Sequence, residues 1–221
     1  HLGRTCLHRR ERVIESNKDR RSQSFGDGRR LSTVDKFGAW LNTRYLQRQV
    51  DSWQGKHVLD VGCGFDARAT RMAREQSALV TLIDFTLAPT LIADPAVITH
   101  LGSFQEAAED LPRGAFDVVV CLSVLEHIDD DQRALDLIFE LLAPEGRLIL
   151  GVPTWRGRRV LEFSSFRLGL SSIEEINDHR RYYDLRDLWP LLVAAGFRPD
   201  RIRCRRIKFG LNLVAVCRRS P

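Results

Sequence analysis

The sequence predicts an α/β fold: a mostly parallel sheet with helices on both faces and one antiparallel strand at the end of the chain. Three observations predict it. Short apolar runs alternate with segments of helical periodicity. Several of those runs are continuously apolar, as strands buried on both faces are. The C-terminal tail reads as two strands around a short turn, so the final strand must run against its neighbours.

Taken in order, residues 1–34 are polar and basic and include the loop-like "SQSFGDGRR". They predict a partly disordered arm or a loosely packed helix. From Asp35 to Trp53, the apolar residues Phe37, Trp40, Leu41, Tyr45, Leu46 and Val50 recur at helical spacing. "HVLDV" is the first buried strand, followed by a helix from Asp66 to Arg74. "ALVTLID" is the second strand and ends at Asp84; "AVITHL" (96–101) is the third and "AFDVVVCLS" (115–123) the fourth. An amphipathic helix from Asp129 to Leu142 places Ala134, Leu135, Ile138, Leu141 and Leu142 on one side. A Pro-Glu-Gly turn then enters "GRLILGVP" (146–153), the fifth strand. Beyond Pro153 the pattern loses its regularity until a helix from Leu185 to Ala195, which stops at Gly196. The tail "PDRIRCRRIKFGLNLVAVCRR" supplies the hairpin, turning near Phe209–Asn212. This organisation gives one domain over 35–221, with an insert at about 154–184.

With 221 residues the chain is long enough for one domain with a substantial core. No apolar run approaches the ~18 residues of a membrane span, and the first residues carry no apolar signal core. Five scattered cysteines lack metal-ligand spacing and read as reduced thiols of a cytoplasmic protein. The net charge of +5 conceals an asymmetry: residues 1–30 carry +5, residues 31–150 carry −8, and residues 151–221 carry +8. Basic ends of this kind suit an anionic substrate, an anionic surface or nucleic acid, and they also suit simple solvation.

The chemistry concentrates in "LDVGCGFDA", residues 59–67. Gly62 and Gly64 match the dinucleotide pattern G-x-G-x-x-G/A, completed by Ala67. Glycines after a buried strand let a ligand approach the backbone, and the next helix offers its N-terminal N–H groups. Asp60, however, lies inside the strand two residues before the turn. Beside a pyrophosphate it would set like charges close together. A cofactor with a positive centre and an amine tolerates it, which favours S-adenosylmethionine over NAD. Asp84, twenty-two residues after Gly62, ends the second strand, where a carboxylate accepts ribose hydroxyls.

"VLDVGCG", "LIDFT", "LGSFQEAAEDLP", "FDVVVCLSVLEHI", "LLAPEGRLILGVP" and "LWPLLVAAGF" together resemble the class I S-adenosylmethionine-dependent methyltransferases over about residues 35–218. Within that family the chain is similar to the small-molecule group that includes ubiquinone-biosynthesis and bacterial glycan-cluster enzymes. The resemblance implies a Rossmann-like three-layer sandwich, a seven-stranded sheet of order 3-2-1-4-5-7-6 with strand 7 antiparallel. It places Asp60 near the methionine amine, and Gly62, Cys63 and Gly64 along the methionine and ribose. Asp84 takes the ribose hydroxyls and Phe85 the adenine face. Ser103 and Phe104 flank the adenine edge, although many relatives carry Asp where Ser103 stands. Cys121, Leu122 and Ser123 end the fourth strand beneath the sulfonium. As side chains, Cys63 and Cys121 read as small buried residues rather than nucleophiles.

On the acceptor side, transfer to an oxygen needs positioning and a base. His127 and His179 are the candidates; His100, inside a strand, reads as a packed residue. Some relatives bind a metal through Glu-x-x-Glu-His, but the chain has Ser123-x-x-Glu126-His127, and no metal is expected. Arg180, Arg181, Tyr182 and Tyr183, with Arg156, Arg158, Arg159 and Arg167, flank the expected mouth. Guanidinium forks suit phosphate or carboxylate, so an anionic or glycan-type acceptor is expected. Three other readings stay open: an RNA methyltransferase, an NAD-dependent oxidoreductase, and a cofactor-binding domain without catalysis. The acceptor and the oligomeric state are not legible.

Overall fold

The computed structural model describes residues 24–26, 33–76, 79–157 and 181–221. Helix α1 (Thr33–Gln47) precedes strand β1 (His57–Val61), helix α2 (Arg71–Glu75) and β2 (Leu79–Asp84). Then come α3 (Pro89–Ile92), β3 (Val97–Leu101), α4 (Phe104–Asp110), β4 (Phe116–Leu122), α5 (Asp131–Leu141) and β5 (Leu142–Pro153). Near the C-terminal end, α6 (Leu185–Ala194) leads to the hairpin β6 (Ile202–Ile207) and β7 (Asn212–Arg218). The strands form one seven-stranded sheet of order β3-β2-β1-β4-β5-β7-β6. β7 runs antiparallel between β5 and β6, and the other neighbouring pairs are parallel. This is the expected order.

Strand alternation divides the core in two. Leu59, Val61, Val119, Cys121, Leu148 and Leu150 face α4, α5 and α6. Val58, Val118, Val120, Ile149 and Val214 face Leu46, Val50 and Trp53 from the α1 region, together with Ala73 and Leu91. Asp60 alternates with Val58, so it enters the second core as an acid among apolar neighbours. Its parallel partners Leu82 and Val120 offer it no charge.

Several boundaries differ from expectation, for identifiable reasons. The helix expected from Asp66 starts only at Arg71, because Gly64 (φ 76°) and Ala67 (φ 45°) hold left-handed backbone that no right-handed helix accommodates. The glycine turn is therefore followed by further turns, not by helix N-terminal amides. α1 ends at Gln47 rather than Trp53, yet Val50 and Trp53 still reach the core from the following turn. α5 spans 131–141 instead of 129–142; Asp130 caps it by accepting the Arg133 N–H at 2.9 Å. β5 begins already at Leu142, which pairs with Phe116 across an irregularity where the expected turn lies. α3 and α4 occupy stretches given no helix from sequence. At α4, the Ser103 hydroxyl accepts the Glu106 N–H while the Glu106 carboxylate accepts the Ser103 N–H, both at 3.3 Å.

Candidate active site

Parallel strands end together, and the crevice at their C-terminal edge is where α/β sheets bind ligands. Here it lies beyond Val61, Asp84 and Leu122. The chain leaves β1 through Gly62, at φ 63°, whose N–H donates to the Ile83 carbonyl at 2.8 Å. The Gly64 N–H donates to Asp84 Oδ2 at 2.7 Å. Asp84 Oδ1 accepts the Phe85 N–H at 2.8 Å and the Ser24 hydroxyl. One carboxylate thus fastens the glycine turn to the end of β2.

Ser24 and Phe25 were missed from sequence. Ser24 accepts the Thr86 N–H at 2.7 Å, and the Phe25 carbonyl accepts the Phe65 N–H at 2.9 Å. The segment 24–26 therefore packs on the site, in a stretch expected to be a loose arm. A serine followed by phenylalanine and glycine within a polar tract is the only signal for it. The rest of the predicted arm lies outside the described residues, apart from the start of α1.

The two glycines have neighbours of their own. A Cβ on Gly62 would meet Val124 Cγ2 at 2.3 Å, and one on Gly64 would meet the Phe25 carbonyl at 3.2 Å. The space expected to serve a ligand's approach is bounded by the protein itself on those sides.

Asp60 is buried, and its Oδ2 accepts the Thr70 hydroxyl at 2.7 Å. Burial pushes its carboxyl up to about 7, against the lowering effect of the Thr70 bond; the Asp84 charge adds to the rise and Arg74 opposes it. In an unfolded chain an aspartate titrates near ~4. Between these values the folded state holds a proton that the unfolded chain has lost. The contribution of Asp60 to stability is thus complete at the acid end of the window and is lost as pH rises through about 7. Urea midpoints measured from pH 5 to pH 8 are expected to fall with pH, with a local slope of up to roughly 1.4 kcal/mol per unit. Asp60→Asn should flatten that slope; a slope unchanged in the variant would place the titration elsewhere.

Other predicted site residues separate into two groups. Phe85 is 39% exposed beside Asp84, open to a flat ligand. Leu122 and Ser123 end β4 at the crevice, Ser123 with a left-handed φ of 59° and its N–H donated to the Gly151 carbonyl at 2.8 Å. His127 is half-buried at the end of the 3-10 turn Leu125–His127, directly after them. Structural duties take up the second group. Ser103 caps α4, and the Phe104 side chain belongs to the core. Cys121 is buried, and burial pushes its thiol up, with Glu126 and Asp60 adding to the rise; Cys63 is raised first by burial and then by Asp60 and Asp84. Neither thiol is activated.

Just before α6, the Tyr183 hydroxyl donates to Asp131 Oδ2 at 3.0 Å and Arg181 Nη1 donates to the same oxygen at 2.6 Å. The Tyr183 N–H also donates to the Pro153 carbonyl at 3.0 Å. These two residues, expected to meet an acceptor, anchor the returning chain to α5 and β5. Tyr182 is buried against Trp155, ring centroids 5.5 Å apart. His179, Arg180, Arg158, Arg159 and Arg167 lie outside the described residues. Among the described residues no group of three or more His, Cys, Asp or Glu could hold a metal ion. No helix there is long and apolar enough to cross a membrane.

Comparison with known proteins agrees with this geometry. A family model described as "Methyltransferase domain" matches residues 7–201. The chain is 33% identical over 114 residues to a ubiquinone biosynthesis O-methyltransferase of Pectobacterium atrosepticum, covering 49% of this chain and 47% of that protein. It is 36% identical over 120 residues to the protein of the same name from Haemophilus ducreyi, covering 50% of each. The chain thus spans about half the length of the curated relatives it matches. Among solved structures it is similar to the Burkholderia thailandensis 1,6-didemethyltoxoflavin-N1-methyltransferase, bound there to 1,6-didemethyltoxoflavin and S-adenosylhomocysteine. That likeness has a TM-score of 0.64 at 24% identity, over 97% of this chain and 90% of the other. The chain belongs to the methyltransferase domain family, as a class I S-adenosylmethionine-dependent member.

Proposed function

We propose that the protein transfers a methyl group from S-adenosylmethionine to an oxygen of a small-molecule acceptor. The observation that carries the reading is the Asp84 carboxylate at the end of β2, facing the glycine turn with an aromatic ring exposed beside it. That donor set fits a nucleoside: a carboxylate for two hydroxyls, Phe85 for a base. Asp60, buried two residues before the turn, suits a cation better than a pyrophosphate. When bound, the cofactor supplies a methyl group on a positive sulfur. The chain's part is to hold the acceptor in line with that methyl and to take its proton. His127, next to the end of β4, is the base within the described residues; His179 is the alternative in the insert. Oxygen is preferred because the curated relatives are named O-methyltransferases. Arg156, beside the β6–β7 turn, and the arginines of the insert support an anionic or glycan-type acceptor.

A test measures S-adenosylhomocysteine release across hydroxylated acceptors with and without a carboxylate or phosphate, identifying the products by their methoxy carbon signals. His127→Gln is expected to lower kcat at least ~100-fold, within the range for loss of a general base, while S-adenosylhomocysteine binding is retained. Full turnover by the variant would remove His127 from the reaction. N-methylated products would overturn the oxygen assignment, and preference for neutral acceptors would overturn the anionic one.

A further inference from the structure

The site described above lies at the C-terminal ends of β1, β2 and β4. A separate cleft of about 550 Å³ opens towards the other end of β5 and β7. Arg147, Arg201, Arg203 and Arg218 line it, together with Glu145 and Asp200. Arg147 lies four residues before Gly151, which pairs with Leu122 at the end of β4. Four residues of strand span about 13 Å, so the two sites are distinct.

Both acids in the cleft are already engaged. Glu145 pairs with Arg201 at 2.6 Å, and Asp200 pairs with Arg198 at 3.2 Å. Arg203 donates to the backbone carbonyls of Asp200 and Ile202, at 3.0 and 3.2 Å. Among the described residues, no carboxylate lies within ion-pair distance of Arg147, Arg203 or Arg218. Arg147 and Arg218 are moreover direct cross-strand partners on β5 and β7. Like charges in that position are destabilising. The repulsion registers on Arg147, whose pKa is lowered by burial and then by Arg218, with Asp51 only partly offsetting. Two guanidiniums held opposite each other in a concavity, with a third on the adjacent strand, form an arrangement that an anion would relieve.

We propose that this cleft binds the di- or triphosphate group of a soluble small molecule. Guanidinium forks match phosphate oxygens in pairs, and three forks without carboxylate partners exceed what a single monoanion would occupy. The volume lies within the ~300–1,000 Å³ typical of small-molecule sites. Glu145 and Asp200 at the same cleft disfavour an extended polyanion such as a nucleic acid backbone, which would have to pass both carboxylates.

Thermal unfolding and calorimetry of the whole protein with pyrophosphate, at constant ionic strength, test the proposal. Millimolar pyrophosphate is expected to raise Tm by about 2–4 °C, a shift consistent with binding to the folded state alone. Arg147→Gln and Arg218→Gln should each weaken pyrophosphate at least tenfold. Without ligand each should leave Tm unchanged or raise it, because the opposed charges are gone. S-adenosylhomocysteine affinity should not change in either variant. Arg186→Gln, on the exposed side of α6, controls for net charge and should bind pyrophosphate as the parent does. The proposal is overturned if pyrophosphate gives no shift, if the shift survives in Arg147→Gln and Arg218→Gln, or if Arg186→Gln weakens it equally. An oligonucleotide displacing pyrophosphate at lower concentration would also overturn it, in favour of nucleic acid.

Discussion

Asp84→Ala is expected to weaken S-adenosylhomocysteine binding by at least ~100-fold, because the carboxylate has two functions at once. In the proposed cofactor placement it accepts both ribose hydroxyls, one of them at the lone pair that the Ser24 hydroxyl takes in the ligand-free protein, and hydrogen bonds to a charged group contribute about 1.5–3 kcal/mol each. Two of them correspond to ~100-fold or more in affinity. It also holds the turn, accepting the Gly64 N–H at 2.7 Å and the Phe85 N–H at 2.8 Å, with the Ser24 hydroxyl on the same oxygen as Phe85. Its removal therefore loosens the glycine turn and releases Ser24 before any ligand arrives. Calorimetric titration reads the first loss, and the Tm of ligand-free protein reads the second. Asp84→Asn separates them: it keeps the size but can supply only one accepting oxygen, so it should retain part of the stability and little of the affinity. If a folded Asp84→Ala variant bound the ligand within threefold of the parent, the ribose would have to be held elsewhere and the cofactor placement would fall.

The overall architecture was legible because it rests on patterns that a sequence displays directly. Continuous apolar runs such as "VVVCL" announce strands covered on both faces, and the hairpin at 202–218 requires one antiparallel strand. Local backbone conformation was not legible. Nothing in "FDARAT" announces that Ala67 adopts φ 45°, and that one residue delays α2 by five positions. Contacts between distant segments were hidden for a different reason: a side chain's partner depends on the fold. Tyr183 and Arg181 read as acceptor contacts, and nothing near them in sequence announces that both also bond Asp131, fifty-two and fifty positions earlier. Ser103, expected at the adenine edge, is also a helix cap with Glu106 three residues on, and "SFQE" carries the signal for that second duty. Ser24 is the clearest case, because its role follows wholly from where Asp84 and Thr86 lie.

The glycine turn itself yields the other large effect. Gly62→Ala is expected to destabilise the protein by about 2–5 kcal/mol, the sum of two independent causes. Left-handed backbone at φ 63° costs an alanine roughly 1–2 kcal/mol. The new methyl would also stand 2.3 Å from Val124 Cγ2 and 3.2 Å from Cγ1, and forced overpacking costs ~1–3 kcal/mol. Only the second cause depends on Val124. In the double variant Gly62→Ala with Val124→Ala, both Cγ contacts are gone and only the Cβ of residue 124, at 3.3 Å, remains, so most of the steric part should disappear while the backbone part stays. Urea unfolding of the two single variants and the double variant should then give a favourable coupling of about 1–2 kcal/mol. Gly64 offers no such rescue: its Cβ would meet the carbonyl of Phe25, which no side-chain substitution removes. Gly64→Ala should instead shift the 24–26 segment by a few tenths of an ångström, weakening its bonds to the Phe65 and Thr86 amides and quickening hydrogen exchange there. A coupling near zero between Gly62 and Val124 would mean that Val124 moves aside freely, and the glycine would then be required by its left-handed backbone and not by packing. A strong coupling means that the first glycine of the fingerprint is required by the chain's own packing, before any ligand is considered.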